Sequence, residues 1–170
     1  MNTTMNTWIE KHLKEAERLI TNDEFENGLR LLNALLFDEP GYAPLHSHLG
    51  WAYLYYGGDE GRAELHFTTA IRFNASYAPP YIHMANLCMR AQRYQEAIHY
   101  SEQGLTKPEA NKAGLYEVLG NAYEMKGELR KAIRAYRYAT LSSVSSYEVT
   151  AFSEGIKRCW RKRMTKLFAF

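Results

Sequence analysis

Small side chains return along this chain at a fixed stride. Gly50, Ala85 and Gly120 are spaced 35 residues apart, and Ala16 stands 34 residues before Gly50. The surrounding blocks agree: Leu49-Gly50-Trp51-Ala52-Tyr53, Met84-Ala85-Asn86-Leu87-Cys88 and Leu119-Gly120-Asn121-Ala122-Tyr123. A second series, Gly28, Ala63, Ala97 and Ala132, runs at steps of 35, 34 and 35 residues. Four residues after its members come Leu32, Phe67, Ser101 and Tyr136, and three further on Leu35, Ala70, Gly104 and Ala139. Two series sharing one period mark a repeating unit, which restricts the chain to folds that stack like units on one another.

Within each period the spacing is helical. Ala63, Phe67, Ala70 and Ile71 recur at three- and four-residue steps, which places them on one buried stripe. Asn22-Asp23, Gly57-Gly58-Asp59, Gln92-Arg93 and Lys126-Gly127-Glu128 punctuate the middle of each unit. Pro40-Gly41, Asn74-Ala75-Ser76 and Lys107-Pro108 separate the units. Proline lacks an amide donor and clashes with the preceding turn, so it ends one helix pair before the next begins. Glycine or alanine at a crossing lets two helix axes approach to roughly 8–9 Å, and a bulky residue one turn later fills the space alongside.

These residues resemble the tetratricopeptide repeat (TPR), a helical pair of about 34 residues. The unit with Tyr116, Leu119, Gly120, Tyr123, Gly127, Ala132, Tyr136 and Ala139 follows the family pattern most closely. The unit with Leu49, Gly50, Tyr53, Gly57, Ala63, Phe67 and Ala70 carries one extra residue, placed near Gly58 to Gly61. The next is looser, with Cys88 in the tyrosine position and Ser101 in the aromatic one. The first lacks the initial aromatic but keeps Ala16, Phe25, Gly28, Leu32, Leu35 and Pro40. The expected organisation is a tail over 1–8, repeats over 9–42, 43–77, 78–112 and 113–146, and a basic amphipathic capping helix over 147–170. The repeat pattern is read as stopping at Val144, after which Val149, Phe152, Ile156, Trp160 (or Cys159), Met164 and Leu167 form one apolar stripe. A solenoid leaves its last apolar face uncovered, and a terminal helix with a wet outer side meets that need.

The resemblance implies an all-α, right-handed superhelix whose first helices line a concave groove for a peptide or a partner's helix. Carried over from the family register, the lining is Pro44, Ser47, His48, Trp51, Leu54 and Tyr55, then Pro79, Ile82, His83, Asn86, Met89 and Arg90, then Gly114, Glu117, Asn121, Glu124 and Met125. The positions at which some family members grip a C-terminal carboxylate with cations hold Leu13, Glu17, His48, Pro79 and His83 here. That pattern argues against an acidic tail as ligand and favours an apolar or amphipathic segment.

Composition sets the remaining bounds. Of 170 residues, 46% are hydrophobic and 24% charged, enough for a core. A net charge of +2 is too small for whole-protein polyanion binding, so nucleic acid is not the expected partner. The charge is uneven: Lys157, Arg158, Arg161, Lys162, Arg163 and Lys166 crowd one short stretch, interleaved with Trp160, Leu167, Phe168 and Phe170. That stretch reads first as a wet cap, with an anionic membrane surface or nucleic acid, and then a tail that docks a partner, as the competing uses. Two cysteines exclude a disulfide scaffold, and the charged first 20 residues do not read as a signal peptide, so a cytoplasmic location is expected. Six histidines are present, but no Cys or carboxylate completes a set at metal-ligand spacing, and no cofactor is expected. No phosphate-cradling loop, nucleophile elbow or two-histidine zinc motif occurs. The expected function is non-catalytic protein–protein interaction, as adaptor, scaffold or chaperone-like holder, with the alternatives of self-assembly as a homodimer, a secretion accessory, or a membrane-peripheral adaptor using the basic C-terminal helix.

Overall fold

The computed structural model describes residues 3–167. Those residues form nine α-helices: α1 (Thr3–Thr21), α2 (Phe25–Asp38), α3 (Ala43–Ala52), α4 (Glu60–Phe73), α5 (Pro79–Arg90), α6 (Tyr94–Leu105), α7 (Lys112–Met125), α8 (Leu129–Ser142) and α9 (Ser146–Leu167). No strand occurs among them. The architecture is the all-α repeat solenoid that the period predicts. The chain divides into two compact units, residues 1–83 and 84–170.

In the first unit, α1 buries Ile9, Leu13, Ala16 and Ile20, spaced four, three and four residues apart on one face. Leu29, Leu32 and Leu35 of α2 answer them. Each leucine or isoleucine among them contributes about 1.5–3 kcal/mol when removed from water, so the stripe rather than helix propensity holds α1. The helix begins at Thr3, so residues 3–8, expected as a tail, are its opening turns.

The second helix pair is α3 and α4. Its extra residue lies earlier than the sequence suggests, in a π-helical turn at Tyr53–Gly57 that follows α3 without a break. Gly58 closes this turn at φ +65°, a conformation that a β-carbon would penalise. A π-turn absorbs one residue by widening the hydrogen-bonded ring while the helix continues. Tyr53 and Leu54 thereby stay buried, whereas Tyr55 and Tyr56 are exposed. Asp59 accepts a hydrogen bond from the Arg62 amide and caps the start of α4.

In the second unit, Ala85, Cys88, Ala97, Ile98, Val118, Leu119, Ala122 and Ala135 form one buried cluster. Leu129, Ala132, Ile133, Tyr136 and Cys159 form another, which α9 joins. The small-residue stride continues past Val144, against expectation: Gly155 stands 35 residues after Gly120. Both glycines face the same ring, for a β-carbon at Gly120 would come within 2.6 Å of Tyr136 and one at Gly155 within 2.9 Å. The capping helix therefore occupies the place of a further repeat's first helix, over Ser146–Leu167; Phe168 and Phe170 lie outside the described residues.

Gly120→Val forces the Tyr136 ring out of this slot. We expect a loss of about 1–3 kcal/mol, the usual cost of overpacking, read as a lower urea midpoint by circular dichroism with the helical spectrum retained.

Candidate functional site

Two surfaces collect the residues singled out by the sequence, one in each unit.

In the first unit, a cleft of about 300 Å³ is lined by Glu17, Ser47, His48, Trp51, Tyr77, Pro79 and His83. The α3 spacing of His48 and Trp51 puts both on one face. His48 Nδ1 donates to the Pro44 carbonyl at 2.8 Å, which orients its ring. Trp51 is half-buried and packs its ring 5.0 Å from that of Tyr56. His83 stacks on Phe67 at 5.4 Å, and Phe67 in turn fills the space left by Gly50, where a β-carbon would come within 2.6 Å of it. Tyr55 is exposed and presents its hydroxyl 3.4 Å from His83 Nδ1. Burial, reinforced by the nearby His48, lowers His83 to about 4. It is therefore a neutral ring at physiological pH.

Ser47 is buried at the floor of this cleft, and Leu54 belongs wholly to the core. Leu54 is thus withdrawn from the surface that the family register assigned it, because its helical position points it inward. Ile82 is half-buried beside His83. Tyr77 was not anticipated, although it repeats Tyr42 at 35 residues and precedes Pro79-Pro80. Burial, with Tyr42 nearby, pushes its phenol up to about 12.

A second histidine pair lies in the same unit. His46 Nε2 donates to the Pro40 carbonyl at 2.9 Å, so its Nδ1 accepts from His66 Nδ1 at 3.1 Å. Burial, then the charges of His46 and Arg62, lowers His66 to about 4. No group of three or more metal-ligating side chains is assembled among the described residues.

In the second unit, Asn86 and Met89 are half-buried and Arg90 is exposed. Glu117 is half-buried, and burial followed by repulsion from Glu148 raises its carboxyl. Asn121 and Glu124 meet an internal partner. The Tyr136 hydroxyl stands 2.7 Å from Asn121 Oδ1 and 3.0 Å from Glu124 Oε2, its one proton shared between two acceptors. Arg158 clamps Glu124 with two hydrogen bonds of 2.8 and 2.7 Å, and Lys162 Nζ adds a third at 2.6 Å. Burial alone would raise the Glu124 carboxyl, but hydrogen bonds from Arg158, Lys162 and Tyr136 outweigh it and hold the group at about 2. The same carboxylate raises the Arg158 guanidinium. Burial and then this charge push the Cys159 thiol up to about 11.

The basic tail therefore divides. Arg158 and Lys162 are committed to Glu124, and Lys157 pairs with Glu154 at 2.8 Å. Arg161, Lys162 and Lys166 line an open cleft of about 590 Å³ with Arg158 and Glu124. The Arg163 guanidinium lies 4.9 Å over the Trp160 ring.

No family model matches the chain, and no curated protein matches it. Solved structures do. PilF of Pseudomonas aeruginosa superposes with a TM-score of 0.82 at 12% identity, over 93% of this chain and 70% of its own. YrrB, a TPR protein with an unusual peptide-binding site, gives a TM-score of 0.70 at 14% identity, over 90% of this chain and 76% of its own. TTC0263, a thermophilic TPR protein of Thermus thermophilus, gives 0.70 at 17% identity, over 85% of this chain and 79% of its own. The chain has the TPR fold. At such identities the likeness is one of backbone fold. No helix among the described residues is long and apolar enough to cross a membrane.

Two pH dependences follow. His66 and His83 are neutral when folded but have ordinary affinity for protons when unfolded, so their contribution is complete above pH about 6.5 and is lost as the pH falls toward about 4. The melting temperature should fall across that window, and His83→Gln should flatten the fall. Glu124 acts lower: its stabilisation is complete above pH about 4.5 and disappears as the pH falls toward about 2. Glu124→Gln should cost about 2 kcal/mol at pH 7, after discounting for two half-exposed cations. Its gap from the wild type in urea denaturation should narrow through the lower window.

Proposed function

We propose that this chain is a non-catalytic protein-interaction module that holds an extended, largely apolar segment of a partner in the cleft around Trp51. The observation that carries this reading is the make-up of the cleft: an indole, a phenol, a proline ring and two imidazoles surround one carboxylate, Glu17. Aromatic side chains with part of their surface still wet are the residue type that most often anchors a protein interface. No lysine or arginine lines the cleft to draw in a carboxylate ligand, and His83 is neutral there. Glu17 repels one and attracts a lysine or arginine. A segment with apolar residues and a basic side chain therefore suits the cleft better than an acidic tail.

The same cleft argues against hydrolytic chemistry. His48 Nδ1 is spent on the Pro44 carbonyl and no hydrogen bond joins Ser47 to His48, so nucleophile and base are not coupled. YrrB, of similar backbone, has a peptide-binding site, which supports a peptide as the ligand here. Cys88 and Cys159 are buried and not joined in a disulfide, which suits the reducing cytoplasm to which we assign the protein.

The test is to pan a phage-displayed peptide library against the full chain and measure the selected peptides by fluorescence anisotropy. Selected sequences should be rich in apolar and aromatic residues. Trp51→Ala with Tyr55→Ala should weaken them at least about tenfold, or 1.4 kcal/mol, with the helical spectrum unchanged. Equal affinity for wild type and double variant would place the ligand elsewhere.

A further inference from the structure

The two units carry opposite charge. Residues 1–83 hold 6 Lys and Arg against 11 Asp and Glu, while residues 84–170 hold 15 against 8. Neither imbalance is explained by the cleft around Trp51, and each coincides with apolar surface that its own unit leaves uncovered.

On the basic side, Trp160, Met164 and Leu167 recur at four- and three-residue steps along the exposed side of α9. Arg161, Arg163 and Lys166 accompany them, and none of the three makes an ion pair among the described residues. On the acidic side, the start of α1 and the end of α2 frame a pocket of about 500 Å³ whose apolar lining is Trp8, Ile9 and Leu35 and whose rim is Asp38 and Glu39. Beside it Phe37 is 89% exposed. Exposed aromatic surface of this kind at a solenoid's terminal pair costs solubility unless something covers it.

We propose that these two surfaces are partners between copies: the Trp160–Leu167 stripe of one molecule seats in the Trp8–Leu35 pocket of a second, with its cations against Asp38 and Glu39. Charge complementarity carries this choice of occupant. The apolar stripe meets an apolar pocket, and the cations beside the stripe meet the carboxylates that rim the pocket. The contact is heterologous, since different patches meet, so one molecule's α9 engages the next molecule's α1–α2 pair. It uses neither Trp51 nor His83, and it stands whether or not the cleft takes a peptide.

The experiment is static light scattering on the full chain over a range of concentrations and salt. The wild type should gain mass with concentration, and its association should weaken at least about tenfold between about 0.05 and about 0.5 M NaCl. Two charge-reversed variants separate the surfaces: Asp38→Lys with Glu39→Lys, and Arg161→Glu with Arg163→Glu and Lys166→Glu. Each alone should stay monomeric with an unchanged circular dichroism spectrum, because its pocket and stripe now carry like charge. Mixed in equal amounts, the two should associate again. A wild type that stays monomeric overturns the proposal, as do variants that associate as well as wild type or a mixture that does not recover. If a variant loses its helical spectrum, the salt response of the wild type decides alone. A monomer that instead sediments with phosphatidylcholine–phosphatidylglycerol vesicles would assign the stripe to a lipid surface and also overturn it.

Discussion

The structure depends on one kind of contact, an aromatic ring laid across a helix where no side chain stands. Phe67 lies on Gly50, and Tyr136 lies between Gly120 and Gly155. The steric logic is strict, because a β-carbon at Gly50 or Gly120 would come within 2.6 Å of the ring. An aromatic residue buries a large apolar area, but only a backbone bare of side chain lets the helices close on it. Each ring thus gains contact on its broad face while the crossing stays tight. The contact holds the α3–α4 and α7–α8 pairs together and seats α9 on the last of them, with no pairing of segments far apart in sequence.

The same arrangement explains what was legible in the sequence. Periodicity of small residues survives the loss of nearly every other identity, because it is set by backbone clearance. Gly28, Ala63, Ala97 and Ala132 therefore disclosed the repeat even where Ser101 replaces an aromatic ring. Gly155 keeps the stride too, in a segment whose cations and Trp160 otherwise depart from the repeat pattern. The π-turn at Tyr53–Gly57 was visible as a residue too many, though not where it lodges. Placement depends on which tyrosines the core accepts: Tyr53 stacks on His66 with ring centroids 5.7 Å apart, and that contact is invisible to spacing alone.

Site residues were harder to place for a physical reason. A family register fixes which side of a helix a residue occupies, but it does not say what has already claimed that side. Trp51, His48 and His83 converge on one cleft, which stays open among the described residues. Asn121 and Glu124 hold comparable register positions, yet Tyr136, Arg158 and Lys162 satisfy them. Tandem small residues say nothing about a carboxylate that will be met by cations 34 and 38 positions later. Such a link lies between helices, where the period predicts neighbours but not their chemistry.

Glu124 also shows how one buried charge settles the use of a surface. Left unpaired at its depth, a carboxylate would either cost several kcal/mol or take up a proton. Two cations from α9 remove that cost, and in doing so they fix the azimuth of the last helix. With Arg158 and Lys162 turned toward Glu124, and Phe152, Gly155 and Cys159 turned into the core, helical geometry leaves Trp160, Met164 and Leu167 on the opposite side. The exposed stripe is therefore a consequence of satisfying one internal carboxylate. A helix rotated to bury Trp160 would have to strip Glu124 of both partners, and burial of one apolar side chain, worth about 1.5–3 kcal/mol, does not offset a bare buried charge.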